Sequence, residues 1–314
     1  MFTNFKDIYQ DCNAFEGRDL LWLMYHERRH QIDDLKNNLH WSTVKNIILI
    51  DQENIINNVI NHDDRIHFWD STISDHPRLH TYLFWFDWVR MINDHTQLTS
   101  KLIPNDKKNA VLLFDALTGT PRSNKLFVND KIDQHIDRRL FFIGSRTNNF
   151  DRLSLDWKPG GSYENGSNRL AYHGNLNAST SCFVPYEIYN QTWYSIVAES
   201  QFDKSIFFSE KTAKPLISKR LFVMFSSQNF LSSLRSLGFQ TFGDVIDESY
   251  DCIADDIQRW TEAWRQVEYL MTQDPKLIYQ KINGITEHNY QLISSTDHYK
   301  KMCKEIQELL TTSK

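Results

Sequence analysis

Residues 195–225 read SIVAESQFDKSIFFSEKTAKPLISKRLFVMF, and this stretch decides the fold. It opens on a short apolar strand, Ser195–Ala198, and a second follows at Ser205–Phe208. Ser209-Glu210 is a capping-type pair that starts a helix running to Ser218. Leu221–Phe225 (LFVMF) is the next strand. Asn229–Leu237 is then a helix, closed by Gly238 as a left-handed C-cap. Short apolar runs alternating with helices are the pattern of parallel strands buried on both faces.

The same alternation extends outward. Lys45–Asp51 (KNIILID) and Ile66–Trp69 read as strands that end in carboxylates. Ala110–Phe114 (AVLLF) and Leu140–Ile143 (LFFI) read as two more. Residues 18–38 read as a helix with an apolar cluster at Leu20–Tyr25. The aromatic segment between Pro77 and Asn93 reads as a buried helix. Residues 157–181, rich in Gly, Asn and Ser, form a long loop or a hairpin insertion. Residues 252–314 read as mostly helical. The fold class is therefore α/β with parallel sheets. The polar stretch Leu102–Asn109 marks a boundary, which predicts two Rossmann-like α/β domains facing across a cleft. The expected divisions are 1–108, 109–275 and a helical tail, 276–314, packing back on the first domain.

The 314 residues carry 35 Lys and Arg against 40 Asp and Glu, a net charge of -5. An acidic balance argues against a general nucleic-acid binder, so a DNA role needs a local patch. The pairs Lys107-Lys108, Arg138-Arg139 and Lys219-Arg220 are the runs that would build one. Glycine (10) and proline (7) are scarce, which excludes collagen-like and linker-like classes. Mean hydropathy is -0.53, as expected of a soluble chain. The four cysteines are scattered, without CxxC spacing, and fit a reducing, cytoplasmic setting. Met1–Asp7 lacks the pattern of a secretory signal, and no apolar run is long enough to span a membrane. The sequons at Asn165, Asn177 and Asn190 are then chance products of an Asn-rich chain.

Three groups of residues carry candidate chemistry. His26-Glu27-Arg28-Arg29-His30 is an HExxH pattern, in which His26 and His30 would hold zinc and Glu27 would act as base. Arg28 and Arg29 oppose a cation there, and a solvated helical face is the other reading. Glu199 followed by Ser209-Glu210-Lys211-Thr212-Ala213-Lys214 places a carboxylate and two lysines at a helix start, where phosphate binds. The alternative is a capping box with a Glu210–Lys214 ion pair. Gly119-Thr120-Pro121-Arg122-Ser123-Asn124-Lys125 follows a strand and is either a diphosphate cradle or an exposed basic turn. The rings of Tyr82–Trp88 either stack on sugars or bases, or belong to the core.

Four stretches share one further likeness. They are Val184–Tyr189, Trp193–Glu199, Phe208–Leu216 and Ser236-Leu237-Gly238-Phe239-Gln240-Thr241-Phe242. Together they resemble the donor-binding domain of GT-B glycosyltransferases of the fucosyltransferase/exostosin-like type. The likeness covers roughly residues 110–250 and leaves 1–107 without a placed motif. It implies a nucleotide-diphosphate sugar as donor. Glu210 would match the carboxylate near the ribose, and Lys211 the cation on the diphosphate. Arg122 and Lys125 would match the arginines of an R-x-H-R element, from which the chain departs with Asn124 and Lys125. Lysine offers a point charge there in place of a bidentate fork.

Glycosyl transfer must stabilise a departing nucleoside diphosphate, by a metal ion or by protein cations and a helix dipole. The chain has no DxD pair, so Lys211, Arg122 and a helix N-terminus are expected to supply the field without a metal or other cofactor. Ser209 and Lys214 complete the expected binding set with Glu199. An inverting reaction needs a base on the acceptor. Asp51, Glu53 and Asp70 stand at strand ends, and Asp70 after Phe68-Trp69 is the preferred candidate against an ordinary turn role. The acceptor is expected to be a glycan or, as a minority option, a hydroxymethylated DNA base of the kind some viral enzymes glycosylate. A zinc hydrolase and a non-catalytic nucleotide or glycan binder are the competing readings.

Overall fold

The computed structural model describes residues 20–24, 46–50, 64–73, 76–118, 122–135, 141–143, 169–172, 176–179, 183–200, 202 and 205–312. The chain forms two compact units: Met1–Phe84 with Asp297–Lys314, and Trp85–Thr296. Both are built on parallel sheets with helices, so the α/β class holds.

Among the described residues the sheet of the first unit takes four strands: β1 (Leu20–Met24), β2 (Asn46–Ile50), β3 (Ile66–Asp70) and β5 (Leu79–Thr81). They lie side by side in that order, all parallel. A two-residue strand, β4 (Thr72–Ile73), follows β3. In β3, Ile66, Phe68, Trp69 and Asp70 are all buried, the near-continuous burial of a strand covered on both faces. Leu20–Met24 corrects the expected helix over 18–38. The run pairs in register with β2, Leu20 opposite Asn46. A short apolar run has no periodicity that separates strand from buried helix, and here strand pairing decides.

The second unit begins at Trp85, within α1 (Phe84–Thr96), which carries the aromatic segment. Phe86 is fully buried, its ring edge-on to Phe208 and Phe239. Then come β6 (Leu112–Ala116), α2 (Ser123–Gln134) and β7 (Phe141–Ile143). The 157–181 insertion contains an antiparallel hairpin, β8 (Arg169–Tyr172) with β9 (Leu176–Ser179). After α3 (Tyr186–Gln191) come β10 (Thr192–Ala198), the two-residue β11 (Ile206–Phe207), α4 (Glu210–Ile217) and β12 (Phe222–Phe225). The sheet order is β12-β10-β6-β7, all parallel. In chain order that is fourth, third, first, second. The direction of winding reverses between β6 and β10, a topological switch point, and ligands of open α/β sheets bind at such points.

All seven residues of β10 are buried. Phe114 on β6 is fully buried, with the rings of Phe141 and Tyr194 at 5.6 and 5.4 Å. The helices α5 (Phe230–Ser236), α6 (Asp256–Met271) and α7 (Pro275–Ser295) complete this unit. Gly238 closes α5 at φ 93, as the sequence predicts. The last helix, α8 (His298–Thr312), belongs to the first unit, where Trp69 Nε1 donates to Glu305 at 3.1 Å.

The divisions fall elsewhere than expected. Residues 102–109 lie inside the second unit rather than at its border. Asn190 fastens them there, accepting from Ile103 N at 2.8 Å and donating to Lys101 O at 3.0 Å. The tail drawn at 276–314 divides as well, with α7 in the second unit and α8 in the first. Among the described residues no helix is long and apolar enough to cross a membrane.

Candidate functional site

The carboxyl ends of β10 and β12 and the amino ends of α2 and α4 are tied together by a dense hydrogen-bond net. Glu199 follows β10 directly and is fully buried. Its carboxylate accepts from Ser209 Oγ at 2.5 Å, Ser209 N at 3.2 Å, Thr212 Oγ1 at 2.6 Å and Ser200 N at 3.0 Å. Ser209 in turn caps α4, its hydroxyl accepting from Lys211 N at 3.2 Å. The expected capping role of Ser209 is thus met, and Glu199 locks the cap to the strand end. A buried carboxylate is tolerated here because four donors replace its water.

Arg122 is the N-cap residue of α2 and donates to Ser200 O on the neighbouring loop. Asn124 is fully buried and donates to Glu199 O at 3.0 Å and Phe225 O at 2.8 Å. It bridges the ends of β10 and β12, so the asparagine that departs from the R-x-H-R pattern has a structural duty. Lys125 is buried beside it. Burial, then the positive charges of Lys211 and Arg122, lower its pKa to about 8 against the pull of Glu199 and Glu210.

Lys211 Nζ donates to Glu210 at 2.6 Å and to Ser200 Oγ at 2.9 Å. Burial opposes the charge of both partners. Lys211, Lys214 and hydrogen bonds from Lys211 and its own amide nevertheless hold the Glu210 carboxyl below its ordinary value. Glu210 and Glu199 hold the Lys211 ammonium above its own. Glu210 ion-pairs with Lys211, its sequence neighbour, and the charge of Lys214 acts on it as well. Lys214 lines, with Lys211, Asp115, Tyr189 and Ser195, a cavity of about 20 Å³, room for one water-sized group. Arg122, Lys125, Lys211 and Lys214 therefore gather with Glu199 and Glu210 at one sheet edge, with cations in excess.

Beneath this edge lies a buried ion pair that the sequence reading passed over. Arg220 Nη2 donates to Asp115 Oδ2 at 2.6 Å, and neither residue is more than 2 % exposed. Arg220 also donates to Ser195 Oγ, Tyr189 O and Thr192 O, each at 3.0 Å, and its guanidinium lies 4.1 Å from the Tyr189 ring centroid. Every edge of the guanidinium is used. Lys108 is buried too and donates to Thr192 O at 3.4 Å. These positions correct the expected basic patch: Arg220 and Lys108 are core residues, and Arg138-Arg139 lie outside the described residues. The signal for Asp115 was a lone carboxylate within an apolar strand, which burial obliges to find a partner.

Asp70, the candidate base, ends β3 in the first unit and is fully buried. Its Oδ1 accepts from Thr72 N at 2.9 Å and from Thr72 Oγ1, while its carbonyl accepts from Tyr82 N at 2.6 Å. These contacts are those of a turn residue that fixes the strand end. Asp51, Glu53, the HExxH pattern and Gly119-Thr120-Pro121 lie outside the described residues. Tyr82, Leu83, Phe84 and Phe86 are buried, which favours the core reading of that aromatic segment. Among the described residues no three His, Cys, Asp or Glu side chains are grouped to hold a metal ion. No protein-family model matches the chain, and neither a curated protein nor a solved structure matches it.

Proposed function

We propose that this chain is a nucleotide-sugar glycosyltransferase whose second unit holds the donor's diphosphate at the carboxyl edge of β6 and β10. The observation that carries the reading is the convergence of Arg122, Lys125, Lys211 and Lys214 on the start of α4, at the switch point of a parallel sheet. A switch-point crevice edged by a helix N-terminus and fixed cations is suited to a diphosphate. The GT-B-like pairing of the two α/β units, with the first as acceptor side, is part of the proposal.

In the transfer, the bond from the sugar's anomeric carbon to the diphosphate oxygen breaks. Its electron pair stays on that oxygen, and Arg122, Lys125 and Lys211 stabilise the charge. The acceptor oxygen bonds to the anomeric carbon and gives its proton to a carboxylate base. Glu210 would meet the ribose hydroxyls. Protein cations supply the field in place of a metal, and the reaction inverts. The acceptor is a glycan hydroxyl or, as the second option, a hydroxymethylated base in DNA, and the setting is cytoplasmic.

The test is release of nucleoside diphosphate from UDP-, GDP- and ADP-sugars with glycan and hydroxymethylated-DNA acceptors, in EDTA. The proposal expects acceptor-dependent release from one donor and its loss in Lys211→Ala. Donor binding without release on any acceptor contradicts the transferase and leaves a nucleotide-binding protein.

A further inference from the structure

Of the four clustered cations, Lys125 has an ammonium without a hydrogen-bond or ion-pair partner among the described residues. It stands in the first turn of α2, only 3 % exposed, and its backbone N–H donates to Asn124 Oδ1 at 3.0 Å. Arg122 and Lys211 are engaged, Arg122 with Ser200 O and Lys211 with Glu210 and Ser200 Oγ. The charged groups that act on Lys125 come from three elements. Arg122 on α2 and Lys211 on α4 disfavour its proton, while Glu199 after β10 and Glu210 on α4 favour it. Neither carboxylate is bonded to it: Glu199 takes donors from Ser200, Ser209 and Thr212, and Glu210 takes Lys211. A buried ammonium without a partner is costly, and a lysine escapes that cost by giving up its proton.

We infer that Lys125 is charged by its ligand: a nucleoside diphosphate arriving at this edge brings the anion that the side chain lacks, and the amine takes a proton from solvent as the two meet. The inference rests on the reading of this edge as a nucleoside-diphosphate site and concerns its control by pH. An opposite charge within about 4–6 Å favours the charged form of a group, and phosphate oxygens supply one. The balance is one amine and one proton giving one ammonium, with no bond of the ligand broken. The linkage is reciprocal: a more acidic medium tightens the nucleotide, and the bound nucleotide tightens the proton. In the free protein Lys125 titrates at about 8. The edge therefore holds a diphosphate best below that value and loosens it above. An arginine, charged throughout, would bind without this link.

The probes are UDP and GDP, titrated calorimetrically into the full chain at pH 7 and pH 9 in buffers of different ionisation enthalpy. The proteins are the wild type, Lys125→Arg, which keeps a charge that does not titrate, and Lys125→Met, which removes it. Cooperative melting confirms that each variant is folded. The terminal phosphate of a nucleotide sheds its last proton near pH ~6, so a proton taken up at pH 9 goes to the protein. Ionisation of the base affects all three proteins alike. The wild type should take up about one proton per nucleotide at pH 9 and little at pH 7, with affinity falling about tenfold between them. In both variants the uptake should vanish and the fall should flatten, with Lys125→Met weak at either pH. Nucleotide bound by the wild type without proton uptake at pH 9 overturns the inference and leaves the site standing. Uptake that persists undiminished in a folded variant places the proton elsewhere and overturns it too. No nucleotide bound by the wild type at pH 7 overturns the site and the inference together.

Discussion

Ser209 reaches Glu199 twice, through its hydroxyl at 2.5 Å and its amide at 3.2 Å, and the pair joins the end of β10 to the start of α4. One residue supplies the helix cap and the other its anchor. The direction of α4, and with it the placement of Lys211 and Lys214, follows from this contact. A helix of eight residues is too short to hold itself in water, so its geometry comes from the strand end.

Ser209→Ala should then do more than remove an N-cap. Loss of the cap costs about 1 kcal/mol, and the hydroxyl contact to Glu199 goes with it while the amide contact stays. We expect a loss of about 2 kcal/mol in urea denaturation, with nucleotide affinity lowered in the folded protein. A loss below about 0.5 kcal/mol would mean that α4 is positioned by other contacts.

The Asp115–Arg220 pair makes a prediction of opposite signs. Arg220→Met leaves Asp115 buried without its main partner and should cost about 3–5 kcal/mol. Adding Asp115→Leu removes the orphaned charge, so the double variant should be more stable than Arg220→Met alone. Urea midpoints of the two variants and the wild type check it. A double variant less stable than the single one would contradict the account.

Lys108 gives a stability that depends on pH. Burial, then Arg220, lower its pKa to about 6, with Asp115 opposing. In the unfolded chain an ordinary lysine titrates near ~10.4. Between these values the unfolded state binds the extra proton, so this group's contribution to stability rises with pH from about 6 to about 10. Lys108→Met should therefore stabilise the protein, most at the acidic end of that window and least near pH 10. Melting temperatures of both proteins across the window test this. A constant difference would show that Lys108 is charged in the folded chain at all these values.

Gly238 adopts φ 93, and a Cβ there would meet Leu292 Cδ2 at 3.4 Å. Gly238→Ala should cost roughly 1–2 kcal/mol through backbone conformation more than through contact. Gly238→Asn, which tolerates the left-handed region better, should recover part of the loss in thermal melts. Equal losses for Ala and Asn would point to the Leu292 contact instead.

Much of the second unit was legible in the sequence because its signals are local. SIVA and LFVMF are buried strands, Ser209 is a cap, and Gly238 is a C-cap, and each is decided within a few residues. Leu20–Met24 misled for the same reason in reverse: five apolar residues carry no period, and only pairing with Asn46–Ile50 makes them a strand. Of the site, the cations and carboxylates were readable, but their partners were not. Glu210 takes the ammonium of its sequence neighbour Lys211, and Arg220 turns inward to Asp115 across 105 positions of chain. Such long-range partners are fixed by packing, which a reading of local pattern does not contain. Asn124 was visible only as a departure from a pattern, and its bridge between β10 and β12 required the sheet.

The central claim is that the edge of β6 and β10 binds a nucleoside diphosphate through Lys211 and its neighbouring cations. Thermal-shift titrations with UDP, GDP, ADP and CMP, with and without EDTA, test it most directly. A ligand at 100 times its Kd stabilises by about 2.7 kcal/mol, a shift of a few degrees for a chain of this size. The account predicts that one nucleoside diphosphate raises the melting temperature equally in EDTA, and that folded Lys211→Ala loses the shift. No shift with any nucleoside diphosphate, or a shift that persists undiminished in Lys211→Ala, would contradict it.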